Sequence, residues 1–418
     1  MFLSEFYDIL EDQRLHRLLF LILIGIYVYN ELRSWWHRSG KYYKPWGSTT
    51  PAFILFTKKQ IAELSEATCL SQRAAYADMF GFKHTMNKLE HNPSNHKVIR
   101  TRLYSRLLQV NGPVHLAALY PHLLDQFDSS LAKEFQNGRI LDGGISLPIA
   151  ETARRLVSKL MSLMFFGDSL SSDEEFSSGL LRYPQDMVKC MAAFQVAPSF
   201  MSPIIHALLT NRGKAMHLIQ RKFAYCIGPE GSSQNDSDQI QRFAASHQLW
   251  MNLHFNTLHQ ETEQHVPLDY QDLEQLPLLD GFIKETVRCN PLDTLAIRRK
   301  ALEPYTFSDG SLSVPSGATI CVSAHDLMHN PQTYTEPNTF NPTRYLPKKP
   351  NSQQRKFTEV SETPGRFHAS LAIQIVISQL LLKYDLSLEN EKARTKWTWE
   401  TFTMPYKSSK IILKDRSL

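Results

Sequence analysis

Apolar positions recur at helical spacing through the middle of the chain. Between His115 and Phe135, Leu116, Leu119, Leu123, Phe127 and Leu131 fall on one face, which predicts a helix there. The pattern continues from Leu147 to Phe166. It returns as an amphipathic helix from Leu276 to Arg288 and as a long apolar helix from Phe367 to Leu382. Between these last two the period changes. Tyr305 to Phe307 and Ala318 to Ser323 read as strands, with turns at Asp309-Gly310 and Pro315-Ser316-Gly317. Asn330 to Pro350 is irregular and rich in proline, and the tail returns to short strand-like pieces. The pattern as a whole is α+β, mostly helical, with small sheets late in the chain. Gly228 to Asp238 (GPEGSSQNDSD) reads as a surface loop and is the best internal break. A helix follows from Gln239 to His259, with His247, Met251 and His254 on one face. Two histidines without a third ligand suit polar helix positions better than a zinc site.

Composition narrows the class. With 418 residues, 42% hydrophobic and 21% charged, the chain can bury a large core without staples. A net charge of +5 with no concentrated Lys/Arg stripe argues against a nucleic-acid binder. The five cysteines, Cys69, Cys190, Cys226, Cys289 and Cys321, are odd in number and widely spaced. They read as free thiols of a reducing compartment.

The N-terminus carries a charge-free run, Leu18 to Tyr29 (LLFLILIGIYVY). Arg14 and Arg17 precede it, and Arg33, Arg38, Lys41 and Lys44 follow, with Trp35 and Trp36 placed for a membrane–water interface. A spanning helix needs about 20 mostly apolar residues, so the run must borrow from its flanks. A cleaved signal peptide and a buried or interfacial helix are the other readings. The acidic leader (Glu5, Asp8, Glu11, Asp12) and the lack of a small-residue cleavage site weigh against the first. The favoured reading is a single-pass signal anchor over residues 1–45, linker included. The basic excess after the run keeps the main domain, 46–418, on the cytoplasmic side.

Four segments carry chemistry. In Lys284-Glu285-Thr286-Val287-Arg288, the i to i+3 spacing puts Glu285 and Arg288 on one helix face, where a guanidinium fork can grip a carboxylate. Glu336 to Tyr345 (EPNTFNPTRY) holds Arg344. Pro364-Gly365-Arg366-Phe367 opens the last apolar helix. Leu70 to Arg73, running through to His96-Lys97-Val98-Ile99-Arg100, places His96 four residues before Arg100. Together these segments resemble the cytochrome P-450 family, particularly its fungal biosynthetic members, from about Leu64 to the end of the chain. The resemblance implies a heme-dependent oxidoreductase, a monooxygenase acting on an apolar small molecule of terpenoid or polyketide type. It implies heme b as cofactor, an NADPH-dependent reductase as electron donor and residence at the endoplasmic reticulum membrane. It assigns Glu285, Arg288 and Arg344 to one buried charge network. It assigns His96, Arg100, Arg298 and Arg366 to the heme, and Ser246, His247 and Gln248 to the oxygen-activating helix.

The sequence also departs from that family. Its axial cysteine stands directly before the Pro-Gly pair, and here that position is Thr363. A neutral hydroxyl does not replace a soft, electron-donating thiolate. The glycine-rich approach to that cysteine is missing too, since Phe357 to Ser361 runs almost directly into Glu362-Thr363-Pro364. Ala245-Ser246-His247-Gln248-Leu249 keeps a histidine but lacks the family's threonines. Three readings follow: a monooxygenase whose sequence has lost blocks, an inactive paralogue that keeps the scaffold for binding, and a heme protein with another axial ligand such as His368.

Overall fold

The computed structural model describes residues 52–86 (apart from 56), 113–227 (apart from 142 and 198), 270–346 and 366–416 (apart from 400). The predicted anchor, the loop at 228–238 and the helix at 239–259 lie outside the described residues. No described helix is long and apolar enough to cross a membrane.

Strand β1 (Ala52–Leu55) leads into helix α1 (Lys58–Glu66). Thr57 caps α1 in a reciprocal box: its hydroxyl accepts from Gln60 N–H at 3.2 Å, and the Gln60 side chain accepts from Thr57 N–H at 3.4 Å. Then come β2 (Leu70–Ser71), α2 (Gln72–Phe80), capped by Ser71, and the single turn α3 (Phe82–Thr85). The predicted helix at 115–135 is α4 (Pro113–Gln136), and all five of its predicted core positions are buried. Strands β3 (Arg139–Leu141) and β4 (Gly144–Pro148) follow. The next helix, α5 (Ile149–Ser172), therefore starts later than expected, because Leu147 and Pro148 belong to β4. It is broken at Gly167, whose φ of 77° a side chain would resist. Helices α6 (Glu174–Val196), α7 (Ser202–Leu209, after a 3-10 turn Ser199–Met201) and α8 (Lys214–Ile227) complete this stretch.

After α9 (Tyr270–Glu274) comes the amphipathic helix α10 (Pro277–Cys289). Its Pro277 stands in the first turn, where a missing N–H costs nothing. Strands β5 (Leu295–Ala301), β6 (Tyr305–Thr306), β7 (Ser313–Val314) and β8 (Thr319–Ser323) follow, with the expected turns at Gly310 and Gly317, both left-handed. Helix α11 (Ala324–Met328) and a 3-10 turn (Pro342–Tyr345) bracket the irregular stretch. The long helix α12 (Arg366–Lys383) and strands β9 (Tyr384–Leu388), β10 (Lys396–Trp399), β11 (Phe402–Pro405) and β12 (Lys410–Asp415) close the chain.

The described residues form two compact units. The first takes in the described residues within 1–91, 186–213 and 295–323. Its sheet has the order β1-β8-β5-β2, with β1 parallel to β8 and the other pairs antiparallel. The Glu63 carboxylate ties α1 to the β6–β7 hairpin by accepting from Tyr305 Oη at 2.7 Å and from the Ser308 N–H and hydroxyl.

The second unit takes in the described residues within 92–185, 214–294 and 324–418. Its sheet runs β3-β4-β12-β9, and Leu147 on β4 faces Ile411 on β12. Helices α4, α5 and α12 pack around Leu116, Leu123, Phe127, Leu156, Leu160 and Ile375. Helix α12 buries Ser370, Gln374 and Ser378 as well as Leu371 and Ala372, so protein covers more than one of its faces.

Candidate functional site

The most developed polar constellation lies within the second unit, on α10. Glu285 and Arg288 stand one turn apart and are 0% and 1% exposed. Arg288 grips the Glu285 carboxylate with both arms, Nε to Oε2 and Nη2 to Oε1, each at 2.8 Å. Such a bidentate fork is the strong form of the pair. Arg344 approaches from the 3-10 turn, its Nε 3.1 Å from each carboxylate oxygen, and the backbone N–H of Asn341 donates to Oε1 at 2.8 Å. Burial alone would raise the Glu285 pKa. The hydrogen bonds from Arg288, Asn341 and Arg344 outweigh it and hold the carboxyl at about 2.

The remaining donors of both arginines go to main-chain carbonyls. Arg288 Nη1 donates to Met328 O at 2.8 Å and Pro337 O at 2.7 Å, and its guanidinium lies 5.1 Å from the Tyr334 ring centre. Arg344 donates to Thr335 O at 2.9 Å and Thr339 O at 3.1 Å. Glu336 takes a left-handed φ of 50° within this carbonyl-rich turn. The approach of the 3-10 turn to α10 depends on Gly281, where an added Cβ would come within 2.5 Å of Pro342 O. The network spreads two positive charges over one carboxylate and at least five carbonyls. Its chemistry is that of a clamp, because every polar atom is committed.

Arg298 belongs to the first unit. It is buried on β5 at a point where the register with β8 shifts between Ala296 and Arg299. Ile297 beside it has a φ of 51°, an outlier for a β-branched residue, and is partly exposed while Arg298 turns inward. Arg366 opens α12, and its side chain is not among those described. His96, Arg100, Ser246, His247, Gln248 and Thr363 lie outside the described residues.

Four cysteines have described side chains, and all four are free thiols. Burial pushes Cys190 on α6 up to about 11, and it raises Cys69 and Cys289 as well. Cys289 Sγ accepts from Arg288 Nη2 at 2.9 Å, and Cys321 is buried in β8 with its thiol toward Phe53 O at 3.5 Å. His368, in the first turn of α12, is 1% exposed, and neither ring nitrogen has a hydrogen-bond partner. Its ring stacks on Phe165 of α5 at 5.0 Å. No group of three or more metal-ligating side chains occurs among the described residues.

Sequence reasoning missed the carbonyl cage around the two arginines, since backbone acceptors leave no residue signature. It also missed the strained bulge at Ile297, which shows only as a break in strand alternation.

Comparisons with known proteins bear on this arrangement. The family model for cytochrome P-450 matches residues 254–413. The cytochrome P-450 monooxygenase paxP of Penicillium paxilli is 22% identical over 376 residues, 73% of this chain and 72% of that protein. The cytochrome P-450 monooxygenase terQ of Tolypocladium album is 31% identical over 157 residues, 34% of this chain and 28% of that protein. Among solved structures, retinoic acid-bound cyanobacterial CYP120A1 superposes with a TM-score of 0.55 at 14% identity, covering 88% of this chain and 89% of that one. That likeness shows the fold.

Proposed function

The chain belongs to the cytochrome P-450 family, and from that premise we propose that it serves the oxidation of an apolar metabolite, of terpenoid or polyketide type, in fungal secondary-metabolite biosynthesis. By family resemblance it is an oxidoreductase of the monooxygenase type, and heme is the cofactor the family implies. The observation that supports the reading is the closed Glu285–Arg288–Arg344 clamp. The three residues picked out by motif resemblance meet in one buried network. The clamp pins the stretch from Met328 to Tyr345 to α10, where losing Glu285 would leave two guanidinium groups buried without their counter-charge.

In the family a cysteine thiolate holds the heme iron and supplies the electron push that splits O–O. The donor set of this chain does not fit that group. Position 363 is threonine, and the described thiols that shift are all held toward their neutral form. No catalytic step is therefore assigned through heme. The monooxygenase reading requires a gene product with a longer segment between Ser361 and Pro364 that brings in the axial cysteine. Sequencing the transcript tests this. The expected read contains an insertion there, and its product gives a thiolate-type carbon-monoxide difference spectrum after reduction. An uninterrupted read from Ser361 to Pro364, with no such spectrum, would sink the reading.

A second reading is then favoured by Thr363 itself: a paralogue that keeps the scaffold and binds an apolar ligand without oxidising it. In either case Leu18 to Tyr29 would anchor the chain in the endoplasmic reticulum membrane, with the main domain, residues 46–418, facing the cytoplasm. A membrane NADPH-dependent reductase would be the electron donor of the active form.

A further inference from the structure

His325 lies in α11 and His329 directly follows it, one turn on. The turn is regular and anchored. His329 N–H donates to His325 O at 2.9 Å, and Ala324 N–H ties the start of the helix to Thr294 O at 2.9 Å. The two imidazoles stack, with ring centres 4.2 Å apart and planes 18° apart. His325 is exposed and His329 half-buried, so solvent reaches the pair.

The neighbouring acceptors decide which ring nitrogen is free. His329 Nδ1 lies 2.9 Å from His325 O. A carbonyl oxygen only accepts, so Nδ1 carries the proton and Nε2 keeps its lone pair. At His325 the Asp326 carboxylate lies 3.5 Å from Nδ1 and favours the proton there too. Each ring is thus held in the tautomer of a metal-ligating histidine, with a carbonyl or carboxylate orienting it from behind. Two imidazoles are too few for zinc, which takes three or four protein ligands. They suffice for a tetragonal cation that completes its shell with water. Copper(II) is that cation, since it prefers this geometry and binds nitrogen donors most tightly among the first-row divalent ions.

We propose that His325 and His329 chelate a copper(II) ion through their two Nε2 atoms, with water in its remaining positions. The ion braces the turn that contains Met328, whose carbonyl Arg288 Nη1 holds at 2.8 Å. Copper(II) is titrated into the full chain, into His325→Gln, into His329→Gln and into the double variant. Binding is followed by the nitrogen hyperfine structure of the electron paramagnetic resonance signal. The chain has 16 histidines, so the double variant is the reference that isolates this pair. The parent is expected to show a tightest site with two nitrogen ligands. Each single variant should weaken that site by about 10²-fold or more, and the double variant no further, because the second imidazole adds its affinity only as a tethered partner of the first. A double variant clearly weaker than either single would mean two separate imidazoles, and an unchanged tightest site in the double variant would place the copper elsewhere. Either result overturns the chelate. Both side chains reach solvent, so the variants keep the circular dichroism of the parent. A second measurement needs no variant: the parent is labelled with diethyl pyrocarbonate, with and without one equivalent of copper(II), and mapped by mass spectrometry. His325 and His329 should be protected together, and labelling of either one at its metal-free rate would also overturn the proposal.

Discussion

Arg344 reaches Glu285 across 59 residues of sequence and places its Nε 3.1 Å from both carboxylate oxygens. Arg288 already holds those same oxygens from one turn away. Glu285 is therefore the single anion between two cations. Glu285→Gln should destabilise the chain by about 3–5 kcal/mol, because it leaves two guanidinium groups facing a neutral amide. Arg344→Lys should cost less than Arg288→Lys. Arg344 is the more exposed partner, whereas Arg288 makes six hydrogen bonds that a point-charge ammonium cannot reproduce. Urea denaturation of the three variants tests the order, and equal midpoints would refute it.

The same network sets an acid limit. The Glu285 pKa falls from 4.5 to about 2 in the fold, so the unfolded chain takes up the proton first. Its contribution to stability is complete above about pH 4.5 and is lost as the pH falls toward 2. In Glu285→Gln the loss across that window should be smaller. Denaturant midpoints measured from pH 5 downward check this.

Gly281 is the point where α10 and the 3-10 turn touch. Alanine is the better helix former by about 1 kcal/mol, so propensity alone favours Gly281→Ala. An added Cβ would meet Pro342 O at 2.5 Å, however, and a backbone atom cannot rotate away. Overpacking of this kind costs about 1–3 kcal/mol, so the net effect should be destabilising. A melting temperature at or above that of the parent would show that the turn yields freely.

Part of this structure is legible in the sequence. The stripe Leu116 to Leu131 could be read because a helix repeats its core contacts every turn, and each predicted position is buried. Leu147 was misread as helical because its partner, Ile411, lies far along the chain and leaves no local trace. Strand β5 went unread since its register shift at Ile297 breaks the alternation that reveals strands. Glu285, Arg288 and Arg344 were legible from motif spacing. The carbonyls of Met328, Pro337 and Thr339 were not, because any residue can offer one. The stacking of His368 on Phe165 depends on how α5 meets α12 and has no signature in the sequence.

The strain at Ile297 reverses an ordinary preference. In a strand interior, glycine is less stable than alanine by roughly 0.5–1 kcal/mol. At φ 51° an L side chain costs about 1–2 kcal/mol, which glycine alone avoids. Ile297→Gly should therefore melt above Ile297→Ala, although it gives up one more carbon. The opposite order would mean that the residue relaxes out of the left-handed region.

His368 carries the second pH response. Burial lowers its pKa from 6.5 to about 4, so the folded chain holds a neutral imidazole where the unfolded chain would be protonated. Stability should fall as the pH drops from about 6.5 to about 4 and then level off, a window above that of Glu285. The depression corresponds to at most about 3 kcal/mol. The uncharged ring is costly as well, since an unpartnered buried polar group forfeits about 1–3 kcal/mol. His368→Phe keeps the stacking on Phe165 and removes both penalties. The variant should be more stable than the parent at pH 7, and its stability should be flatter between pH 6.5 and 4. If the variant loses stability at neutral pH, the imidazole must hold a partner that the fold alone does not supply.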